Sequence, residues 1–247
     1  MRAAVVSDIH ANLAAIEAVL DHAENMGRVD AVWNLGDCVG YGPQPCECIA
    51  QLRKAGALWV AGNHERAATG AIDTDDFNPS AAAAAMWTRE QLDDGEKAFL
   101  DALPETAEQG DFVFVHGTLR WPIWEYLLDS ETARAHLSLM QVPFGFVGHT
   151  HVPMAAVEDD QSPEGCRLTR LRDGDVVQID GRTKIVLNSG SVGQPRDGDP
   201  RASYGIYDSD SMTFTLHRVE YDIGATQRLM EDARLPSWLS ERLSIGR

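Results

Sequence analysis

Residues 3–10 read Ala3-Ala4-Val5-Val6-Ser7-Asp8-Ile9-His10, an apolar run that turns polar at a carboxylate and an imidazole. A short apolar run without alternation fits a strand covered on both faces, as parallel strands of α/β proteins are. Leu13, Ile16, Val19 and Leu20 then recur at helical spacing. The same unit repeats downstream. Ala31 to Leu35 reads as a second strand ending in Gly36-Asp37, and Pro45 opens a helix through Ile49 and Leu52. Leu58 to Ala61 is a third strand, closed by Gly62-Asn63-His64, and Phe112 to Val115 a fourth, closed by His116-Gly117. Phe144 to Val147 is a fifth, closed by Gly148-His149-Thr150-His151. Between them the chain reads as helical from about 65 to 105, a cap-like insertion, and again near 130–140.

From about residue 152 the pattern changes to consecutive short strands. These are Val176 to Ile179, Lys184 to Leu187, Tyr204 to Tyr207 and Met212 to Val219, with Asp173-Gly174 and Asp180-Gly181 as turn signals. Helical pattern returns from about 224. Alternating strands and helices followed by consecutive strands predict one α/β domain over 1–247, with two sheets packed together and flanked by helices.

Five predicted strands thus deliver metal-competent side chains at their carboxyl ends, where open α/β sheets place their sites. Each fragment alone is a common turn or strand end. All five in order, each behind its own apolar run, form a pattern. Five of the eight histidines fall in these positions, whereas His22, His136 and His217 read as ordinary core or surface residues.

Composition narrows the chemistry. The 247 residues carry a formal charge of −17, a surface that repels nucleic acid and anionic membranes. Phosphate chemistry on such a chain needs local positive charge, which bound metal supplies. No apolar run reaches membrane-spanning length, and Ser7-Asp8 interrupts the first one too early for a signal-peptide core, so a cytoplasmic protein is expected. Cys38, Cys46, Cys48 and Cys166 match no paired zinc spacing and read as free thiols.

The ordered fragments resemble the calcineurin-like metallophosphoesterases, whose pattern is Asp-x-His, Gly-Asp, Gly-Asn-His-Glu or -Asp, His, and Gly-His-x-His. The likeness continues through Asn188-Ser189-Gly190-Ser191-Val192-Gly193-Gln194-Pro195-Arg196, as in the small bacterial phosphodiesterase-type branch. The resemblance implies a four-layer α/β/β/α sandwich and two divalent ions. One ion would take Asp8, His10, Asp37 and His151, the other Asp37, Asn63, His116 and His149, with Asp37 bridging. Imidazole, carboxylate and amide donors suit Mn²⁺ first, with Fe²⁺, Zn²⁺ or Ni²⁺ as alternatives. The implied reaction is hydrolysis of a small phosphate ester by a hydroxide shared between the ions.

In the same reading His64 is catalytic, protonating the leaving oxygen or stabilising phosphoryl charge. Glu65 and Asn12 would steady ligands through hydrogen bonds. Arg196 either holds substrate phosphate or pairs with Asp197 or Asp199. Asn78 and Trp87 either line the pocket or belong to an ordinary amphipathic helix. One departure is informative: phosphoprotein phosphatases follow Gly-Asp with a further Asp and an Arg, where this chain has Gly40 and Tyr41. That departure argues against a protein phosphatase, and the resemblance alone implies a phosphodiesterase. A phosphomonoesterase or dinucleoside polyphosphate pyrophosphatase is the alternative within enzymes. A binding scaffold like the retromer subunit of this fold, which has lost ligands, is the alternative outside them.

Overall fold

The computed structural model describes residues 1–247. The chain begins β1 (Arg2–Val6), α1 (Leu13–Asn25), β2 (Ala31–Asn34), α2 (Pro45–Lys54) and β3 (Leu58–Trp59). Three helices follow, α3 (Asn63–Thr69), α4 (Pro79–Gln91) and α5 (Asp94–Asp101), in the stretch expected to be helical. Next come β4 (Thr106–Gln109), β5 (Phe112–Val115), α6 (Ser130–Leu139) and β6 (Phe144–Val147). The second half contains β7 (Met154–Glu158), β8 (Cys166–Arg170), β9 (Val176–Gln178), β10 (Ile185–Asn188), β11 (Ala202–Asp208) and β12 (Thr213–Val219). It ends in α7 (Ile223–Asp232), α8 (Ser237–Glu241) and a single 3-10 turn, Arg242–Ser244.

Two six-stranded mixed sheets form, ordered β3-β2-β1-β11-β12-β9 and β4-β5-β6-β10-β7-β8. The first-half strands therefore do not share one sheet: β1, β2 and β3 pair in parallel in the first, β5 and β6 in the second. Strands from the second half complete both, β11 antiparallel to β1 and β10 parallel to β6.

Alternate residues of each central strand face different layers, as the two-residue period of a strand requires. Ala3 and Val5 of β1 enter the core between the sheets, while Ala4 and Val6 face the helices. Phe112 and Phe114 of β5 point into the same central core, and Val113 and Val115 pack toward α6. The apolar runs are continuous because both faces are covered, which gives the four-layer α/β/β/α arrangement. Trp33 sits at the middle, 1% exposed, against Phe112, Phe114, Phe146 and Tyr207 at ring-centroid distances of 5.0–5.7 Å. Trp33→Ala is expected to cost about 3–5 kcal/mol in a urea melt. A loss under about 1 kcal/mol would contradict this packing.

All four cysteines are free thiols. No helix is long and apolar enough to cross a membrane.

Candidate metal centre

The carboxyl ends of β1, β2, β5 and β6 meet where the two sheets abut, and the loops beyond them converge. Asp8 is hydrogen-bonded across this seam: its Oδ2 accepts from the His149 backbone N–H at 3.1 Å. Five of the converging residues, Asp8, His10, Asp37, His149 and His151, hold left-handed backbone angles, φ between 49° and 65°. Such angles cost a non-glycine residue about 1–2 kcal/mol each and cluster where function holds them. Close approach also dictates two glycines. A Cβ on Gly62 would lie 2.1 Å from Asp37 Oδ1, and one on Gly40 2.2 Å from His64 Nδ1.

Seven donors come together here and all are buried: Asp8, His10, Asp37, Asn63, His116, His149 and His151. Their arrangement is decided by what holds each imidazole. His10 Nδ1, His116 Nδ1 and His151 Nδ1 each lie against a backbone carbonyl, those of Val39 at 3.1 Å, Leu35 at 2.8 Å and Gln194 at 2.5 Å. His149 is turned the other way, its Nε2 3.2 Å from the Trp124 carbonyl. A carbonyl only accepts, so these nitrogens carry the protons and the opposite ring nitrogens are left with lone pairs.

Those lone pairs point at one another. His10 Nε2 lies 3.2 Å from His151 Nε2, and His116 Nε2 lies 3.0 Å from His149 Nδ1. Asp37 Oδ2 is 3.2 Å from His116 Nε2, and Asp8 Oδ1 is 3.2 Å from His151 Nε2. Asp8 Oδ1 and Asn63 Oδ1 are buried acceptors with no hydrogen-bond partner. Converging lone pairs and orphaned acceptors repel unless a cation stands among them, so the residues fit divalent metal ions. Three groups of side chains lie close enough to hold an ion: Asp8, His10 and His151; His10, Asp37 and His64; and Asp37, His116 and His149, the first and last taking in six of the seven donors.

For three of the four donor imidazoles the protonation states agree. Burial pushes His149 down to about 3 and His64 down to about 4, and it lowers His10 and His151 as well. His116 is the exception. Burial works against its charge, but the Asp37 carboxylate carries it up to about 9. For both Asp8 and Asp37 burial alone would raise the carboxyl, but the histidines outweigh it, His151 beside Asp8 and His116 beside Asp37, and hold them low.

Around the donors, Glu65 accepts from the backbone N–H groups of Gly62, Asp37, Cys38 and Val39 at 2.7–3.3 Å. Burial and the Asp37 charge push it up to about 7, while four donors facing it suit the carboxylate form. Asn12 caps α1 through Ala15 N and donates to the Gly193 carbonyl, bracing the adjoining loop rather than a donor side chain. His64 Nδ1 has no hydrogen-bond partner. Its ring packs against Tyr41, His10 and Phe77 at 4.4–5.1 Å, and its nearest carboxylate is Asp37, within 4.8 Å. Asp197 and Asp199 are engaged by Arg218 and Arg201, so neither pairs with Arg196. Arg196 instead reaches the Tyr41 hydroxyl at 3.4 Å and Gln194 Oε1 at 3.1 Å. Asn78 is the N-cap of α4 and lines a cavity beside the donors, whereas Trp87 packs into an apolar cluster with Tyr41 and Leu243.

Sequence reasoning did not single out three supporting roles. Asn188 donates to the Gly148 carbonyl at 2.7 Å, Ser191 donates to the Asp8 carbonyl at 2.7 Å, and Gln194 orients His151. The segment was marked only by resemblance, because hydrogen bonds to backbone leave no spacing signature. His136, read as ordinary, is buried and accepts from Leu119 N–H at 3.2 Å, away from the centre.

The sequence pattern of the calcineurin-like phosphoesterase superfamily domain matches residues 1–212. The chain belongs to this superfamily. It is accordingly a phosphoester hydrolase. It is 39% identical over 251 residues to the uncharacterized protein MJ0912 of Methanocaldococcus jannaschii, covering 99% of this chain and 98% of that one. It is similar to the crystal structure of a metallophosphoesterase from Sphaerobacter thermophilus, with 44% identity, a TM-score of 0.90, and 100% and 99% of the two chains covered. The hypothetical protein PH1004 of Pyrococcus horikoshii OT3 shares the fold at 19% identity and a TM-score of 0.79, with 100% and 98% covered.

Proposed function

We propose that the enzyme is a phosphodiesterase that works with two divalent metal ions. The observation that carries this reading is the convergence of four imidazole lone pairs on two buried carboxylates and an orphaned amide oxygen. Asp8, His10, Asp37 and His151 would hold one ion, and Asp37, Asn63, His116 and His149 the other. The donors are nitrogen and oxygen only, a set suited to Mn²⁺, with Fe²⁺, Zn²⁺ or Ni²⁺ able to replace it. When bound, such a pair supplies Lewis-acid polarisation of the phosphoryl group and water activated at neutral pH.

The chain's own residues do the rest. No thiol or hydroxyl stands against a base among the converging donors, so the attacking group is assigned to water rather than a side chain. His64, whose burial outweighs the pull of the nearby Asp37 carboxylate toward the charged form, acts through its neutral ring, donating a hydrogen bond to a phosphoryl oxygen as negative charge builds. Arg196 offers its planar fork to the same group, since its present partners are neutral and easily exchanged. Glu65 keeps the Asp37 loop in its left-handed conformation.

The preference for diesters follows from charge. A phosphodiester carries one negative charge, whereas a monoester approaches two at neutral pH. Gly40 and Tyr41 supply no cation where phosphoprotein phosphatases have their Asp and Arg, leaving Arg196 to serve a singly charged group. With Mn²⁺, kcat/KM for bis-p-nitrophenyl phosphate is expected to exceed that for p-nitrophenyl phosphate by about tenfold or more, on the order of one further charge to neutralise. The reverse ratio would make the enzyme a monoesterase. Loss of both activities in protein with metal bound would overturn the reading.

A further inference from the structure

The loop joining β5 to α6 exposes large apolar side chains side by side. Trp121, Trp124, Tyr126 and Leu128 are 61%, 37%, 45% and 53% exposed. A cluster of this kind on a highly charged surface marks a binding site. Trp124 and Tyr126 join Tyr41 and Phe77 in walling a cavity of about 360 Å³, and its inner end is formed by Asn63 and His149. The cavity therefore opens directly onto the proposed metal donors. Its volume is that of a small-molecule site.

The aromatic walls are fixed in place. Tyr126 stacks on the His149 ring at 3.9 Å and 19°, and Phe77 meets Trp124 edge-on at 5.6 Å and 76°. Glu125 accepts from Arg120 Nε at 3.0 Å and from the Thr118 hydroxyl, clamping the loop across its base. The Trp124 carbonyl is tied to His149 Nε2, so the wall and the donor move together. On the far side the Asn78 side chain caps α4 at 3.0 Å from Ala81 N, which sets Asp76 and Phe77 at the rim. Little ordering remains to be done when a flat ligand enters.

We infer that this cavity is a nucleoside subsite, and that the ester cleaved at the adjoining centre belongs to a nucleotide. The base stacks on Trp124 with the Phe77 and Tyr126 rings beside it, and Asp76 and Asn78 at the rim take its ribose hydroxyls or base N–H groups. The inference rests on the phosphoesterase reading and names its substrate class. Each base has a flat π-face, and stacking on aromatic side chains is tolerant of base identity. A carboxylate at the rim accepts from sugar hydroxyls, as acidic residues do in other nucleotide sites. It also repels a phosphate, so the phosphate is directed to the inner end. An alkyl chain would leave Asp76 and Asn78 unused. A nucleic-acid strand would need a basic track, which a chain of charge −17 does not offer.

The test is equilibrium binding by calorimetry to the full, metal-loaded chain. The probes are the phosphonate isosteres of AMP and of ribose 5-phosphate, in which a C–P bond cannot be hydrolysed. The adenine-bearing probe is expected to bind about tenfold or more tightly than the ribose probe, the scale of one base stacked on aromatic rings. Trp124→Ala should collapse that ratio toward one, and Trp124→Phe should restore most of it. Equal Kd values for the two probes, or no binding of either, would overturn the subsite. Hydrolysis of bis-p-nitrophenyl phosphate by the same preparation separates the two failures. Turnover with equal probe affinities removes only the nucleoside subsite. Base-selective binding without turnover removes only the phosphoesterase mechanism.

Discussion

Asp37→Asn is expected to lower kcat/KM for the preferred ester by roughly a thousandfold or more, the scale of losing several kcal/mol of metal-centred stabilisation. Metal content should fall with it. Asp37 is the one side chain that faces both donor clusters, with Oδ2 3.2 Å from His116 Nε2 and 3.8 Å from His10 Nε2. Its other oxygen accepts from the His64 backbone N–H at 2.9 Å, so it also positions the proposed catalytic ring. Asn is a discriminating replacement because it tolerates the left-handed φ of 53° found here. The backbone is preserved, and the change removes charge and one acceptor. Steady-state kinetics with metal analysis of the purified variant checks this. A loss smaller than about tenfold would show that Asp37 does not bridge two ions.

Glu65→Ala is expected to cost about 3–5 kcal/mol of stability, the scale of several buried donors losing their acceptor together. The loss comes from what remains behind. Gly62, Asp37, Cys38 and Val39 would each keep a buried backbone N–H with no acceptor. An unsatisfied buried donor costs more than the bond itself contributes. For a chain of this length the midpoint of thermal unfolding should fall by roughly 10 °C. Activity should fall even where the protein is still folded, because the freed loop carries Asp37. A thermal midpoint within about 2 °C of the parent would contradict the bracing role.

The site was legible because its chemistry sits at strand ends. A buried parallel strand is a continuous apolar run, so His116 and His149 stand out as the first polar residues after one, and Asp8 and Asp37 as the first charged ones. What the sequence concealed has physical reasons too. β4 has no apolar side in its Thr-Ala-Glu-Gln run, and β8 alternates Cys166 and Leu168 with exposed Arg167 and Thr169 at an edge. β7 follows His151 closely, and its Ala155-Ala156 centre carries little strand signal. The division of the early strands between two sheets depends on β10 and β11, which lie far along the chain, and no local spacing records it. Arg196 illustrates the same limit: its flanking aspartates suggested local pairing, but Arg201 and Arg218 arrive from folded neighbours and take them. The aromatic cavity likewise joins Tyr41, Phe77 and Trp124 from three separate segments.

The central claim is that seven buried donors hold a pair of ions, and anomalous diffraction from crystals grown with Mn²⁺ tests it most directly. Two manganese peaks per chain are expected, one among Asp8, His10, Asp37 and His151 and the other among Asp37, Asn63, His116 and His149. Their separation should be about 3.5–4 Å, the spacing of two-metal phosphoryl sites. A single peak, or manganese found only outside these residues, would contradict it.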